Sequence, residues 1–201
     1  KWTVDLPGFS ITTPAQDAEG RLYVATDASL FGHRSIWAIS PAGEILWSAA
    51  EGLFVAVGVD AWGNLYAVDA GVDMSGRRVG PPRLASLTRE GTQRWVREFP
   101  DWQWGNTRDA MAIGPSGPVL RQTGAIEAFT PGGESRWRAV LPAGSTLPPG
   151  PILDPDETAY VSAGDEVIAI DRDGRERWRV PVPQAGRIIL AGEGLLAVTS
   201  A

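Results

Sequence analysis

The sequence contains no cysteine, a single histidine and no apolar run long enough to cross a membrane. Without cysteine, the 201-residue chain has no disulfide, no thiolate metal ligand and no cysteine nucleophile. With His33 as the one histidine, a metal site built from two imidazoles is excluded. The net charge of −6 argues against an extended nucleic-acid surface. We therefore expect no metal centre, no nucleic-acid partner and no membrane-spanning segment.

Turn-forming residues and tryptophan are abundant instead. The chain has 24 glycines and 16 prolines, about a fifth of its residues, and these argue against long helices. Nine tryptophans stand against three tyrosines and five phenylalanines. The chain opens at Lys1 in the middle of a strand-like segment, residues 1–6, with no initiator methionine or leader. This opening favours a processed or excised piece of a longer protein.

Five of the tryptophans mark an internal repeat. Trp2, Trp47, Trp95, Trp137 and Trp178 are 45, 48, 42 and 41 residues apart, a spacing typical of propeller blades. Four of them end a common pattern of a small residue, a large apolar residue, a polar residue, a two-residue turn, glycine and three further residues. The pattern occupies residues 38–47, 86–95, 128–137 and 169–178. Its glycine suits a hairpin turn that requires a positive φ.

A second hairpin signal precedes each copy of the pattern, at residues 17–20, 60–63, 114–117 and 154–157. Each repeat therefore supplies four strands, lettered A to D in chain order; in the first repeat we place them near 9–14, 21–26, 35–40 and 44–49. The sequence predicts an all-β protein, a β-propeller of four-stranded antiparallel blades in a single domain. The four complete blades span approximately 9–49, 53–98, 109–140 and 149–181, and residues 186–201 with 1–6 form a split or partial fifth.

The repeat resembles the pyrroloquinoline-quinone-type propeller repeat, which closes Ala-x-Asp-x-x-Gly-x-x-x-Trp with a docking tryptophan; residues 169–178 carry this pattern in full. The family includes quinoprotein alcohol dehydrogenases and BamB-type outer-membrane assembly lipoproteins. The resemblance implies a propeller in a bacterial periplasm, cell envelope or exterior. Because the family's propellers are larger, with about seven or eight blades, we expect a fragment of a ring; the alternative is a ring closed by the split fifth blade.

The repeat tryptophans are interpreted as packing residues rather than as a ligand box, since repeat units must bury faces against each other. Because Trp47, Trp95, Trp137 and Trp178 occupy equivalent positions, we predict similar losses of stability on their replacement. The quinone enzymes hold their cofactor under a disulfide between adjacent cysteines, with calcium bound by Glu, Asn and Asp. This chain lacks cysteine, and no motif carries the calcium ligands or the catalytic base. We therefore predict no catalytic residue and no cofactor.

Two further features resemble functional sites. The pairs Asp171/Asp173 and Asp154/Asp156 resemble the opening of a calcium loop, but they coincide with repeat turns, where aspartate caps its own backbone. The turn interpretation is preferred. His33 lies in a loop, and the sequence places neither a nucleophile nor an orienting carboxylate beside it. We interpret it as a solvated loop residue.

Loop lengths point to one face of the propeller. The A–B and C–D turns are uniformly short, whereas the B–C and D–A connections include every long insertion. Residues 99–106 interrupt the repeat and carry Trp102 and Trp104 outside the docking register. If this segment is extended, alternation around Gln103 puts both rings on one side, where tryptophans are typical binding anchors. The predicted partner-binding side chains are Trp102, Trp104, Arg77, Arg78, Phe31 and Arg34. The competing interpretation is that both tryptophans cover the core beneath the loop.

The sequence thus favours a non-enzymatic scaffold that binds a protein partner through its long-loop face. One alternative is part of a quinone-dependent dehydrogenase. Another is a carbohydrate-binding propeller with exposed tryptophans.

Overall fold

The computed structural model describes residues 1–10, 12–28, 33–49, 54–72, 77–100, 110–122, 124–142, 150–183, 185–191 and 194–199. Within these ranges every regular element is a β-strand, and the predicted all-β class is confirmed. The chain divides into two compact units, Lys1–Trp102 and Gln103–Ala201. Each unit is described by itself below.

The first unit contains two antiparallel sheets. In the first sheet the order is β1-β3-β4-β5, and β2 also pairs with β3. Its strands are β1 (Phe9–Ser10), β2 (Ala15–Gln16), β3 (Leu22–Ala28), β4 (His33–Ile39) and β5 (Ile45–Ala49). The second sheet is a four-stranded meander of β6 (Phe54–Val59), β7 (Leu65–Asp69), β8 (Arg83–Leu87) and β9 (Gln93–Glu98).

The predicted first strand, near 9–14, consists of two short pieces. Between them the Oγ1 atom of Thr12 accepts the Ala25 N–H at 3.2 Å, where a regular strand would bond through its backbone. Pro14 follows and has no N–H to donate. The inner edge of this sheet is therefore held partly by a side chain.

The second unit contains two four-stranded meanders and a hairpin. The third sheet comprises β10 (Met111–Gly114), β11 (Gly117–Gln122), β12 (Ala125–Phe129) and β13 (Ser135–Val140). The fourth comprises β14 (Ile152–Leu153), β15 (Ala159–Ala163), β16 (Glu166–Ile170) and β17 (Glu176–Pro181). The unit ends in the hairpin of β18 (Ala185–Ala191) and β19 (Gly194–Thr199), which lies in the C-terminal part of the predicted fifth blade.

Within each unit the sheets pack face to face. The second and third strands are mostly buried, with β7 and β12 buried along their whole length, whereas the outermost β17 is exposed throughout. Strands that are buried on both faces carry nearly continuous small and branched apolar residues. Four-stranded meanders stacked in this way are propeller blades, and the predicted fold class is confirmed.

The repeated pattern also sets a common irregularity. In each of the four sheets the pairing of the last two strands shifts register immediately before the C–D turn. The shifts lie at Ala38/Ile39, Ser86/Leu87, Ala128/Phe129 and Ala169/Ile170. A bulge at a fixed position turns each outer strand in the same way. The pattern therefore encodes the bend of the blade as well as its turn.

Candidate functional site

Both short turns of each of the four sheets lie at one end of that sheet, which we call the tight-turn end. The A–B turns occupy 17–20, 60–63, 114–117 and 154–157, and the C–D turns 40–43, 88–91, 130–133 and 171–174. In seven of these eight turns a serine, threonine or aspartate at the first position accepts the N–H of the residue four further on. These local bonds satisfy the turn backbone. The side chains that cap this end are thus committed to structure.

The exception is the turn at 114–117, where Gly114 stands at the capping position. The Ser116 N–H, which a cap would bind, donates instead to Oε1 of Glu157 at 2.7 Å, and Ser116 Oγ donates to Oε2 at 2.6 Å. Glu157 occupies the fourth position of the A–B turn in the next sheet, with a φ of 62° where the other repeats have glycine. A carboxylate from the neighbouring sheet thereby replaces the missing cap.

Three repeat tryptophans lie on a C–D turn of the following sheet. The indole N–H of Trp47 donates to the carbonyl of Arg89 at 2.9 Å. A Cβ atom on Gly91 would lie 2.9 Å from that ring. The same contacts join Trp137 to Arg172 and Gly174, and Trp2 to Pro41 and Gly43. The motif glycine is needed for its positive φ and because any side chain would meet the indole.

All three tyrosines of the chain are bound to the aspartate that caps their own A–B turn. The hydroxyl of Tyr66 donates to Oδ2 of Asp60 at 3.0 Å, and its ring centroid lies 6.0 Å from that of Trp95. Burial, reinforced by this bond to a carboxylate, raises the pKa of Tyr66 to about 12. Tyr23 with Asp17 and Trp47, and Tyr160 with Asp154 and Trp178, repeat the arrangement.

The aspartates that resemble a calcium loop act as turn caps. Oδ1 of Asp171 accepts the N–H groups of Arg175 and Asp173, both at 2.9 Å, and these bonds lower the pKa of Asp171. Asp154 accepts the N–H groups of Asp156 and Thr158 in the same way. Across the described ranges, His, Cys, Asp and Glu form no group of three that could hold a metal ion. These carboxylates behave as the turn interpretation predicts.

The opposite end of each sheet, which carries the B–C and D–A connections, is called the long-loop end. In the second sheet its B–C connection folds back on itself, because the Gly71 carbonyl accepts the N–H groups of Val79 and Gly80 at 2.9 and 3.1 Å. Val72 pairs with Arg78 as an isolated bridge. Gly71 has a φ of 68°, and a Cβ there would lie 2.5 Å from the Gly80 carbonyl oxygen. Only glycine fits this position.

Arg78 ties this loop to the connection that follows β9. Its Nη2 atom donates to the carbonyl of Pro100 at 3.1 Å, and its Nε atom to the carbonyl of Gly80 at 3.4 Å. Beside it, the Phe99 N–H donates to the carbonyl of Pro82 at 2.8 Å. Two connections that are distant in sequence therefore meet at the long-loop end of the second sheet.

The structure describes two of the predicted partner-binding side chains, Arg77 and Arg78, and both are exposed. Arg78 reaches the backbone of Pro100, two residues before Trp102 in the chain. Trp102, Trp104 and Phe31 lie outside the described residues. Arg34 contributes its backbone to β4, and its side chain also lies outside them. His33 begins β4, with its side chain likewise outside the described part.

One anchoring pair was missed from the sequence. Oδ2 of the buried Asp69 accepts the Arg83 Nε–H at 2.9 Å, while its Oδ1 accepts the Gly71 N–H at 3.0 Å. The pair joins β7 to β8 where the B–C connection begins. An aspartate two residues before a glycine is a turn signal that could have indicated it.

Comparison with known families finds the quinoprotein-type repeat in the C-terminal part of the chain. Residues 122–201 match a family model described as outer membrane protein assembly factor BamB. These residues cover the last strands of the third sheet, the fourth sheet and the hairpin. The predicted resemblance to the family is confirmed there. Comparison with curated proteins finds no match.

Solved structures with the same fold serve different functions. A BBS1N structure in complex with ARL6DN matches with a TM-score of 0.67 and 13% identity, covering 99% of this chain and 63% of that one. A gluconolactonase from Xanthomonas campestris matches with a TM-score of 0.58 and 19% identity, covering 92% and 68%. BamB from Moraxella catarrhalis has a TM-score of 0.49, with 16% identity over 98% and 69%. At such identities the first two likenesses establish the fold alone.

No helix long and apolar enough to cross a membrane is present among the residues that the structure describes.

Proposed function

We propose that this chain is a non-enzymatic propeller scaffold that binds a protein partner through its long-loop end. The observation that carries the proposal is the bond from Arg78 to the carbonyl of Pro100, which joins two connections at that end. This hydrogen bond supports a defined position for Pro100, which leads into the segment that holds Trp102 and Trp104. Tryptophan and arginine are the residues most enriched at binding hot spots.

The contrast between the two ends of the sheets supports this choice of surface. At the tight-turn end, side chains cap the turns, and the connections are short. At the long-loop end, the connections are longer and follow a rigid scaffold. Recognition residues are disproportionately found on loops of this kind.

Charge supports a partner with acidic groups at the contact. Arg77 and Arg78 are adjacent and exposed on a chain whose net charge is −6. A local positive site on an acidic protein guides a complementary surface and disfavours like-charged ones. We therefore propose Trp102 and Trp104 as the apolar anchors of the contact, and Arg77, Arg78, Arg34 and Phe31 as its further partner-binding residues.

The relatives are consistent with a protein partner in the cell envelope. The matched family model carries the description of an assembly factor of the outer membrane, and the BBS1N structure contains ARL6DN as its partner. We carry over the class of interaction and the envelope location as proposals for this chain. The identity of the partner is not carried over.

The test uses a double variant with a matched control. Trp102→Ala combined with Trp104→Ala should keep the melting temperature and lose a partner captured by the unchanged chain. Trp62→Ala is the control, because Trp62 is 66% exposed in an A–B turn at the opposite end. This control should still bind the partner, whereas Arg77→Ala should bind it more weakly. If the double variant unfolds, or keeps every partner, the site lies elsewhere.

Enzymatic and carbohydrate-binding alternatives are tested on the same sample. Because gluconolactonases share the fold, hydrolysis of gluconolactone should be measured directly. Addition of quinone with calcium should leave the melting temperature unchanged, and a glycan array should show no binding. Turnover of the lactone, or stabilisation by quinone, would contradict the scaffold proposal.

A further inference from the structure

Arg121 is a charged side chain in the interior of the second unit. It lies near the end of β11 and is 3% exposed. Its Nη1 atom donates to the backbone carbonyl of Ser162 on β15, in the next sheet. Its Nε atom is fully buried and has no hydrogen-bond partner in the part of the chain that the structure describes.

The position of Arg121 follows from the shortness of β14. That strand pairs only with Ala159 and Tyr160 of β15, so Ser162 lies beyond its end. On β11, Val119 shares a face with Arg121, since side chains alternate along a strand. Val119 packs with Val161 in the apolar cluster between the third and fourth sheets. Arg121 therefore sits between these sheets at their long-loop end, where the inner strand stops short.

No described carboxylate neutralises this guanidinium. Glu127 is opposite Leu120 in the register, on the other face of the sheet from Arg121. Its Oε2 atom accepts the Gln122 Nε2–H at 2.9 Å and lies 3.9 Å from Nε of Arg138. In the fourth sheet Asp154 caps its own turn, Glu157 is bound to Ser116, and Glu166 and Glu176 are paired with Arg179.

Such a group is costly to bury without a counter-charge. Burial lowers the pKa of Arg121 to about 10, so the side chain is still charged at neutral pH. A buried charge is strongly destabilising unless it is paired and hydrogen-bonded, and an unsatisfied buried donor calls for a bound partner. The Ser162 carbonyl accounts for one edge of the guanidinium and supplies no charge.

We propose that Arg121 binds the carboxylate group of a ligand at the long-loop end of the interface between the third and fourth sheets. Because Nη1 is directed at Ser162 and Nε has no partner among the described residues, we assign the parallel Nε–H and Nη2–H edge to the ligand. This edge matches a planar carboxylate with two hydrogen bonds. The acidic net charge of −6 favours a monoanion over a more highly charged phosphate. The ligand is a small organic acid or the carboxylate end of a peptide, and both offer the same group.

The first test follows the guanidinium directly in the unmodified chain labelled with nitrogen-15 arginine. Sodium acetate should shift one Arg Nε–H resonance saturably, whereas sodium chloride at equal ionic strength should not. Arg121→Lys assigns the signal by removing it. If no Nε–H resonance responds to acetate, the proposal is wrong, whatever the variants do.

The second test compares melting temperatures. Acetate should raise the melting temperature of the unmodified chain by at least about 2 °C near saturation. Arg121→Met should abolish this rise, and Arg138→Met should keep it. Arg138 is the matched control because it carries the same charge in the same unit with a side chain that is 56% exposed. An equal rise in both variants would show a non-specific salt effect and overturn the site.

Two further arms separate the sources of the carboxylate. A short peptide with a free carboxyl terminus should compete with acetate if the ligand is a peptide end, and its amidated form should not. Asp109→Asn tests whether a carboxylate of the chain itself pairs with Arg121. Asp109 is chosen because it precedes Ala110, whose carbonyl accepts the backbone N–H of Arg121 at 2.8 Å. If this variant alone moves the Arg121 signal, the counter-ion is internal and the ligand site is excluded.

This proposal stands apart from the partner-binding function. The Trp102→Ala and Trp104→Ala double variant should retain the acetate response in full. Loss of the partner with an intact acetate response would support both proposals. An absent acetate response with a retained partner contact would reject the carboxylate site alone.

Discussion

Glu157 and Ser116 are joined across two neighbouring sheets by two hydrogen bonds, of 2.7 Å to the backbone N–H and 2.6 Å to the hydroxyl. The bonds perform at a distance what aspartate performs locally in the other A–B turns. Gly114 leaves the space for this carboxylate, since a Cβ on Gly114 would lie 2.7 Å from Oε1 of Glu157. The two sequence departures in this pair of turns are therefore complementary.

Complementarity predicts a non-additive double-mutant cycle. Glu157→Gly should cost about 1–2 kcal/mol, because loss of charge-assisted bonds outweighs relief of the positive φ. Gly114→Asp should also destabilise, since it crowds Glu157 and places two carboxylates together. The double variant restores the usual turn and should be more stable than additivity predicts by at least about 1 kcal/mol. Urea unfolding of the four proteins measures the cycle, and additive losses would show that the turns are independent.

The glycine beneath Trp137 gives a second coupled pair. Gly174 has a φ of 85°, and a Cβ there would lie 2.6 Å from the tryptophan side chain. Gly174→Ala should therefore cost about 2 kcal/mol or more, from backbone strain and displacement of the indole. In a Trp137→Ala background the cost should fall to the strain alone, about 1 kcal/mol. Equal costs in both backgrounds, measured by thermal melts, would mean that the indole does not rest on this turn.

The repeat tryptophans should differ in their contribution to stability. Trp137→Ala should cost on the order of 3–5 kcal/mol, because the side chain packs against the core cluster and its N–H is bound to Arg172. Trp178 is 37% exposed, and in the described part of the chain its indole N–H has no hydrogen-bond partner. Trp178→Ala should thus cost clearly less than Trp137→Ala. Equal losses in thermal melts would restore the expectation from sequence that all repeat positions are equivalent.

Alkaline titration should find no ordinary tyrosine in the folded protein. Burial and a hydrogen bond to aspartate raise the pKa of Tyr23 and Tyr66 to about 12, and the pKa of Tyr160 is raised by the same causes. A tyrosine whose pKa is raised by folding stabilises the folded state at pH values below its unfolded pKa of about 10. This stabilisation is lost as the pH rises through the folded-state pKa. Tyrosinate absorbance should therefore show no step near pH 10, and stability should fall above it. Asp60→Asn should bring the Tyr66 transition to lower pH, with Asp173→Asn as the control at a turn without tyrosine.

Much of the fold was available from the sequence because its signals are local. The turn glycine, the capping residue and the tryptophan lie within ten residues of each other, and they located all four sheets. The first strand was predicted as one piece near 9–14, but it is divided into two. Thr12 supplies a side-chain hydrogen bond in place of a backbone one, and Pro14 has no N–H to donate. That substitution depends on where Ala25 lies after folding.

The site was less accessible for the same reason. The tie between Arg78 and Pro100 spans 22 residues of sequence and depends on how a connection folds around Gly71. The strand pattern around Arg121 suits an exposed arginine as well as a buried one. The space that Arg121 occupies exists because β14, a strand of the next repeat, is short. Contacts of this kind join residues whose local sequences carry no shared signal.

The contact between a tryptophan and the following turn also bears on how such chains arise. Where the structure describes the contact, the indole on the outer strand of one repeat packs on the glycine turn of the next repeat. A segment of about forty residues copied in tandem therefore carries both the tryptophan and the glycine turn that a neighbouring tryptophan contacts. Gene duplication could lengthen or shorten the array without any compensating substitution at the new junction, and divergence of the loops could follow afterwards.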